Sequence, residues 1–217
     1  MDPDFWLQRW RDNLTGFHQQ EINPRLDAFW PQLQLTPGDQ VFVPLCGKSL
    51  DMLWLHKQYA VLGVELSPVA VEAFFAENGL NPEHSRQGQF SVCETDRLTL
   101  LCGDFFDLQP EQLCRVRAVY DRASLIALPE DLREHFVRQL TELLPAAVTM
   151  LLVTLEYDQA QMDGPPFSVG EQEVRDLFAP RWSIQLLHQE DILARESRFR
   201  ERGLSRMVEK VYLLNKQ

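Results

Sequence analysis

Positive charge is scarce in this sequence: 21 Lys and Arg stand against 32 Asp and Glu, a formal net charge of −11 over 217 residues. Recognition of DNA or RNA relies on clustered cations that neutralise phosphates, so no nucleic-acid partner is expected. Cysteine is equally sparse. Cys46, Cys93, Cys102 and Cys114 form no CxxC pair, which argues against metal or disulfide roles and for buried free thiols. No apolar run approaches the roughly 20 residues of a membrane span, and the start Met1-Asp2-Pro3-Asp4 is acidic where a signal peptide is basic. The expectation is a cytoplasmic protein with no membrane partner. Glycine is the most telling scarcity: there are only 10, and no G-x-G-x-x-G motif opens any helix. A pyrophosphate-bearing dinucleotide needs that motif, because only glycine lets the backbone approach it.

Where the glycine-rich turn is missing, the strand-turn-helix frame is nonetheless present. Val41-Phe42-Val43-Pro44-Leu45 is a short apolar run suited to a buried strand, and Cys46-Gly47-Lys48-Ser49 turns the chain. Leu50, Leu53 and Trp54 then recur at helical spacing, with Asp51 in the first turn near the positive end of the helix dipole. A second strand, Ala60 to Val64, ends on Glu65, about 20 positions past the bend, where such units place a ribose-binding acid. Leu45 and Lys48 stand where a dinucleotide loop has glycine. Phe42 stands where a P-loop has its first glycine, so the Gly-Lys-Ser triplet does not make an NTPase. A nucleoside without a pyrophosphate fits better, and S-adenosylmethionine is the common one.

The remaining chain reads as alternating strands and helices. Asn23 to Gly38 is a helical stretch that turns into the first strand. Ser67 caps a helix with Val71, Phe74 and Phe75 buried. Phe90–Cys93 alternates up to Glu94-Thr95-Asp96-Arg97, with Leu98–Leu101 beyond, and reads as a hairpin into the third strand, after a polar stretch at 80–89. Ala118–Asp121 is the fourth strand. A helix follows with Leu132, Phe136, Leu140 and Leu143 as its stripe, then a fifth strand from Val148 to Leu155. Ser168 to Glu171 has the form of a capping box, opening a helix with Val174, Leu177 and Phe178. Trp182–His188 and Met207–Leu214 complete the sheet, and the Arg-rich run 190–203 reads as a solvated face. With 45% hydrophobic residues, one domain spanning 1–217 is expected, residues 1–35 forming a helical segment packed on it.

Several polar and aromatic residues admit two readings from the residues alone. Phe5, Trp6, Trp10 and Phe17 form either a helix packed on the core or a lid over a ligand. His18 beside them reads as a surface or capping residue rather than a base. Asp104-Phe105 is either a loop acid with a core ring or an adenine-binding pair, and Arg122 either pairs with a surface carboxylate or faces the ligand.

Four blocks carry a family resemblance: Val43-Pro44-Leu45-Cys46-Gly47-Lys48-Ser49, Gly63-Val64-Glu65-Leu66-Ser67, Tyr120-Asp121-Arg122-Ala123-Ser124-Leu125 and Gly164-Pro165-Pro166-Phe167. Together they resemble thiopurine S-methyltransferases of the bacterial type, over nearly the whole chain from Phe5 to Leu214. The resemblance implies a doubly wound, seven-stranded, mostly parallel α/β sheet of the class I methyltransferase, Rossmann-like kind, with an antiparallel last strand and an aromatic N-terminal lid. It implies S-adenosylmethionine as cofactor, held by Trp10, Leu45, Gly47, Glu65, Asp104, Phe105 and Arg122, and substrate contacts from Phe17, Arg122 and Arg198. The implied partner is a small thiol, methylated on sulfur by in-line displacement in a monomeric enzyme that needs no metal and no assigned catalytic base. Two alternatives stand beside it: an acceptor that is a selenium or tellurium species, and a binding module that senses the nucleoside without transfer.

Overall fold

Alternation along the strands sorts apolar side chains onto two faces, and the sheet is therefore covered by helices on both sides. The computed structural model describes residues 3–217, so Met1 and Asp2 of the acidic start lie outside it. In chain order the strands are β1 (Gln40–Val43), β2 (Ala60–Glu65), β3 (Glu83–Gln87), β4 (Phe90–Thr95), β5 (Leu98–Cys102), β6 (Val116–Asp121), β7 (Thr149–Glu156), β8 (Trp182–Asp191) and β9 (Val208–Lys216). The helices are α1 (Pro3–Arg11), α2 (Pro24–Phe29), α3 (Asp51–His56), α4 (Pro68–Glu77), α5 (Pro110–Leu113), α6 (Glu130–Leu143), α7 (Glu171–Phe178) and α8 (Ser197–Glu201).

The nine strands among the described residues share one sheet in the order β3-β4-β5-β2-β1-β6-β7-β9-β8. The five central strands are parallel, and β9 runs antiparallel between β7 and β8. Phe42, Leu62, Val64, Val119, Met150 and Leu152 point to the face where Phe136, Val137 and Leu140 of α6 pack. Val41, Val61, Ala118, Tyr120, Leu151 and Val153 point to the other, against Leu26, Met52, Leu55, Val71 and Phe74. Fully burying each large apolar side chain stabilises the fold by about 1.5–3 kcal/mol, which is why a central strand has no solvent face.

Among the described residues the sheet has two strands more than the expected seven: β4, which forms the expected hairpin with β5, and β3, which the sequence did not predict. The polar stretch at 80–89 contains a strand, β3, whose five residues are all exposed. It pairs antiparallel with β4, and β4 with β5, so a hairpin extends the seven-stranded core at one edge. No hydrophobic alternation marks β3, because neither of its faces meets the core.

Two helix faces also differ from expectation. In α3 the inward residues are Asp51, Met52 and Leu55, while Leu53 and Trp54 are half-buried. In α6, Arg133, Val137 and Thr141 join Phe136 and Leu140 in the interior, and Leu132 and Leu143 sit at its margin. The capping box at Ser168 does not form. Gly170 is the N-cap of α7 and has no side chain to accept with, while the Ser168 hydroxyl accepts from Tyr157 N at 3.0 Å and donates to Tyr157 O at 2.7 Å. Ser67 caps α4 as expected, accepting from Ala70 N at 3.4 Å.

Candidate functional site

The strand order reverses at β1: β2 and β5 lie on one side and β6 and β7 on the other. A crevice opens above the carboxyl ends of the strands at such a point, and open α/β sheets bind their ligands there. The cavity found there measures about 500 Å³. Its lining includes Trp10, Leu45, Gly47, Glu65, Asp104, Phe105 and Arg122, together with Phe17 and Arg198, so every site residue expected from the sequence lies on one wall or another. A larger depression of about 1130 Å³ lies between α6 and α7, away from the strand ends. Its Arg133 is already committed, donating to Leu128 O and pairing with Glu173, and none of the nine residues touches it.

The bend after β1 is fixed by its backbone. Cys46 N donates to Val64 O at 3.0 Å, and the Ser124 hydroxyl donates to Pro44 O at 2.6 Å, joining the loop to both flanking strands. Leu45 adopts a left-handed conformation at φ 43, a position costing a non-glycine residue about 1–2 kcal/mol. Its side chain packs on the core and faces the cavity, contact that a glycine there would forgo. Gly47, at φ 54, has a second constraint, since a Cβ there would meet the Trp10 ring at 3.1 Å.

Glu65 closes β2 and is 6% exposed. Its Oε2 accepts from Gly47 N and its Oε1 from Ser67 N, both at 2.8 Å. Burial pushes its carboxyl above the usual range, and these backbone donors oppose that shift. Each oxygen retains a lone pair, so the acid can accept from a ligand as well. Lys48 turns away and donates to both oxygens of Glu77 on α4, at 2.6 and 2.8 Å, instead of reaching a phosphate. Asp104 follows β5 and accepts from Phe106 N at 2.9 Å through Oδ1, while Oδ2 has no partner among the described residues. Phe105 packs against Phe136 at 4.7 Å between ring centroids, and Gln139 of α6 donates to the carbonyls of Phe105 and Phe106.

The N-terminal aromatics form one cluster. Phe17 meets Trp10 edge-on at 5.3 Å and Trp6 at 5.6 Å, and Trp6 meets Phe5 at 5.3 Å. Trp10 is buried against Gly47, while Trp6, Trp10 and Phe17 also line the cavity. Arg198, on α8, donates to Gly16 O, pairs with Glu196 at 3.3 Å and lies over the Phe199 ring. The run 190–203 is thus only partly a solvated face, since Phe199 is buried and Glu196, Arg198 and Arg202 border the cavity. Pro165 and Pro166 wall the same side, held by the Tyr157 hydroxyl donating to Pro166 O at 2.6 Å.

Arg122 pairs with a buried carboxylate rather than a surface one: its Nε donates to Asp51 Oδ2 at 3.0 Å. Asp51, Gln19, Asn23 and Arg9 escaped the sequence reading. Asp51 looked like a helix-dipole residue, and only the inward face of α3 reveals it; Gln19, Asn23 and Arg9 carry no sequence signal for the cavity they line. The thiols take no part. Burial and the Glu65 carboxylate push Cys46 well above the ordinary thiol range, and the same two causes push Cys102 up to about 11. His18 does not line the cavity, and burial followed by Lys48 lowers its imidazole. No group of His, Cys, Asp and Glu among the described residues is arranged to hold a metal ion, and no helix among them is long and apolar enough to cross a membrane.

Comparison with known proteins agrees with this geometry. An S-adenosylmethionine-dependent methyltransferase of Anabaena variabilis superposes with a TM-score of 0.66 at 14% identity, covering 99% of this chain and 95% of that one. The 1,6-didemethyltoxoflavin-N1-methyltransferase of Burkholderia thailandensis, solved with bound 1,6-didemethyltoxoflavin and S-adenosylhomocysteine, gives 0.65 at 14% identity, covering 99% and 87%. These likenesses establish the class I methyltransferase fold. The thiopurine S-methyltransferase of Nitrosospira multiformis is 53% identical over 215 residues, 99% of this chain and 98% of the relative. Those of Methylococcus capsulatus and Pseudomonas putida are each 49% identical, spanning 100% of this chain and 99% and 100% of the relatives. With the family model for thiopurine S-methyltransferase (TPMT) matching residues 1–217 as well, the chain belongs to the thiopurine S-methyltransferase family.

Proposed function

We propose that the crevice above β1 and β2 is where a methyl group passes from S-adenosylmethionine to the sulfur of an aromatic or heterocyclic thiol of the thiopurine kind. The observation that carries the assignment is Glu65, a buried acid with spare lone pairs at the end of β2, on the cavity that Asp104, Phe105 and the aromatic cluster share. The residues fit an adenosyl group. A cavity of about 500 Å³ is of the size that encloses small molecules, it is rimmed by aromatic planes, and its two acids lie at successive strand ends.

When bound, S-adenosylmethionine supplies an electrophilic methyl on a sulfonium. Glu65 accepts from the ribose hydroxyls while Gly47 N and Ser67 N keep it oriented, and Asp104 accepts from the adenine amine beside the Phe105 ring. Leu45 and Trp10 enclose the nucleoside. Aromatic heterocyclic thiols ionise without a strong base, so the task of the protein is placement and management of charge. Arg122 and Arg198 steady the thiolate, and Phe17 with Trp6 excludes water, which strengthens those contacts. Of the N-terminal segment expected at 1–35, the described residues 3–35 serve as the cover of a single domain. The chain acts as a monomer, a reading supported by the edge strand β3, whose exposed, charged sequence Glu83-His84-Ser85-Arg86-Gln87 discourages pairing with another copy.

Titration calorimetry and a transfer assay test the assignment together. Glu65→Ala is expected to weaken S-adenosylhomocysteine binding by about 1.5–3 kcal/mol, the range for a hydrogen bond to a charged group. Unchanged affinity would place the nucleoside elsewhere. Labelled methyl offered with thiopurine, thiophenol, selenite and tellurite then ranks the acceptors, and volatile product from the metalloids alone would move the function to selenium or tellurium.

A further inference from the structure

Asp51 does not line the cavity, yet it joins three pieces that do or that border it. It is 1% exposed, at the start of α3. Its Oδ1 accepts from Asn23 N at 2.8 Å, and its Oδ2 accepts from the Tyr120 hydroxyl and from Arg122 Nε, both at 3.0 Å. Asn23 is the N-cap of α2, accepting from Arg25 N at 2.8 Å, and its amide donates to Gln19 at 3.1 Å. The chain segment that covers the site is therefore fastened, at Asn23, to the same carboxylate that holds Arg122.

Asp51 governs the charge of this arrangement. The Arg122 side chain is 15% exposed and its terminal nitrogens have no partner among the described residues, so it presents a guanidinium to the cavity. An unpaired guanidinium there opposes any cation bound in the same small volume, and the opposition is strong because the walls exclude water. Paired with Asp51 it is half of a neutral couple that still offers N–H donors. We infer that Asp51 is a positioning residue that aims Arg122 and cancels its charge, so that one cavity accepts a sulfonium cation and an anionic acceptor together. This rests on S-adenosylmethionine occupying the cavity.

The test uses the full chain and two ligands that differ by one positive charge, S-adenosylmethionine and its thioether product S-adenosylhomocysteine. Asp51→Asn keeps the shape of the side chain and leaves Arg122 uncompensated. Calorimetry is expected to show the affinity for S-adenosylmethionine falling about tenfold further than that for S-adenosylhomocysteine. Arg122→Gln leaves Asp51 uncompensated, and the affinity ratio is expected to move the other way, in favour of the cation. A merely structural Asp51 weakens both ligands alike in Asp51→Asn and leaves the ratio unchanged, which overturns the inference. If Asp51→Asn does not fold, the double variant Asp51→Asn with Arg122→Gln replaces it: a ratio restored to that of wild type supports the inference, and one as high as in Arg122→Gln alone refutes it. Wild-type protein that binds neither ligand overturns the site assignment itself, a failure distinct from an unmoved ratio.

Discussion

At the scale of single residues, the site is built from groups whose burial would be costly unless the backbone compensated for it. Glu65 is stabilised by two N–H donors from loops on either side, and Leu45 keeps a strained backbone whose side chain fills the crevice wall. Asp121, one residue before Arg122, is the less satisfied case. Its Oδ1 accepts from Ser124 N at 3.0 Å and Leu125 N at 3.4 Å, while Oδ2 is buried with no partner among the described residues. Burial pushes this carboxyl from 3.8 up to about 6. Between pH 4 and 6 the folded state therefore holds a proton that the unfolded chain has released, so stability falls as pH rises through that window and stays lower above it. Two pH units at 1.36 kcal/mol each give an effect of about 3 kcal/mol. Asp121→Asn lacks the titration, and in urea unfolding the stability of wild type relative to this variant is expected to drop by that amount from pH 4 to 6.5. A difference that stays flat with pH would mean that Asp121 ionises alike in both states. Of these residues, Glu65 was legible in the sequence because a strand-end acid has a positional signature; the pairing of Asp51 with Arg122 was not, because it joins side chains 71 positions apart.

At the scale of elements, α1 is the piece whose presence depends most on its surroundings. It has nine residues, fewer than the roughly 12–15 an isolated helix needs in water, and among its residues only Trp10 is buried. Besides α4, it meets Phe17 and Gly47, which are also walls of the cavity, so a ligand there adds contacts that α1 otherwise lacks. Hydrogen exchange of the α1 amides is expected to slow when S-adenosylhomocysteine is added, while the already protected centres of β1 and β6 stay unchanged. Exchange in α1 that ignores the ligand would make it a core helix and no lid. The strands were the most legible elements, since β1, β2, β6 and β7 are nearly continuous apolar runs. β3 escaped because both of its faces are wet, and the inward face of α3 was misassigned because a carboxylate, Asp51, occupies it.

At the scale of the whole molecule, the crevice exists only where the two halves of the folded sheet meet, so a ligand that binds there stabilises the folded chain over the unfolded one. Excess S-adenosylhomocysteine at 100 times its dissociation constant adds about 2.7 kcal/mol. For a chain of this length each kcal/mol raises Tm by about 2–4 °C, so calorimetric scans are expected to show a rise of roughly 5–10 °C. A Tm indifferent to the nucleoside would leave the crevice without its proposed ligand. The sequence by itself determined the doubly wound sheet, the glycine-poor bend and the acid beyond it, because strand burial and turn chemistry are local properties that leave a pattern along the chain. Only the tertiary structure decided that Asp51 neutralises Arg122, that Trp10 rests on Gly47 and that Arg198 reaches Gly16, because those contacts depend on how distant segments meet in space, and no spacing along the chain encodes that.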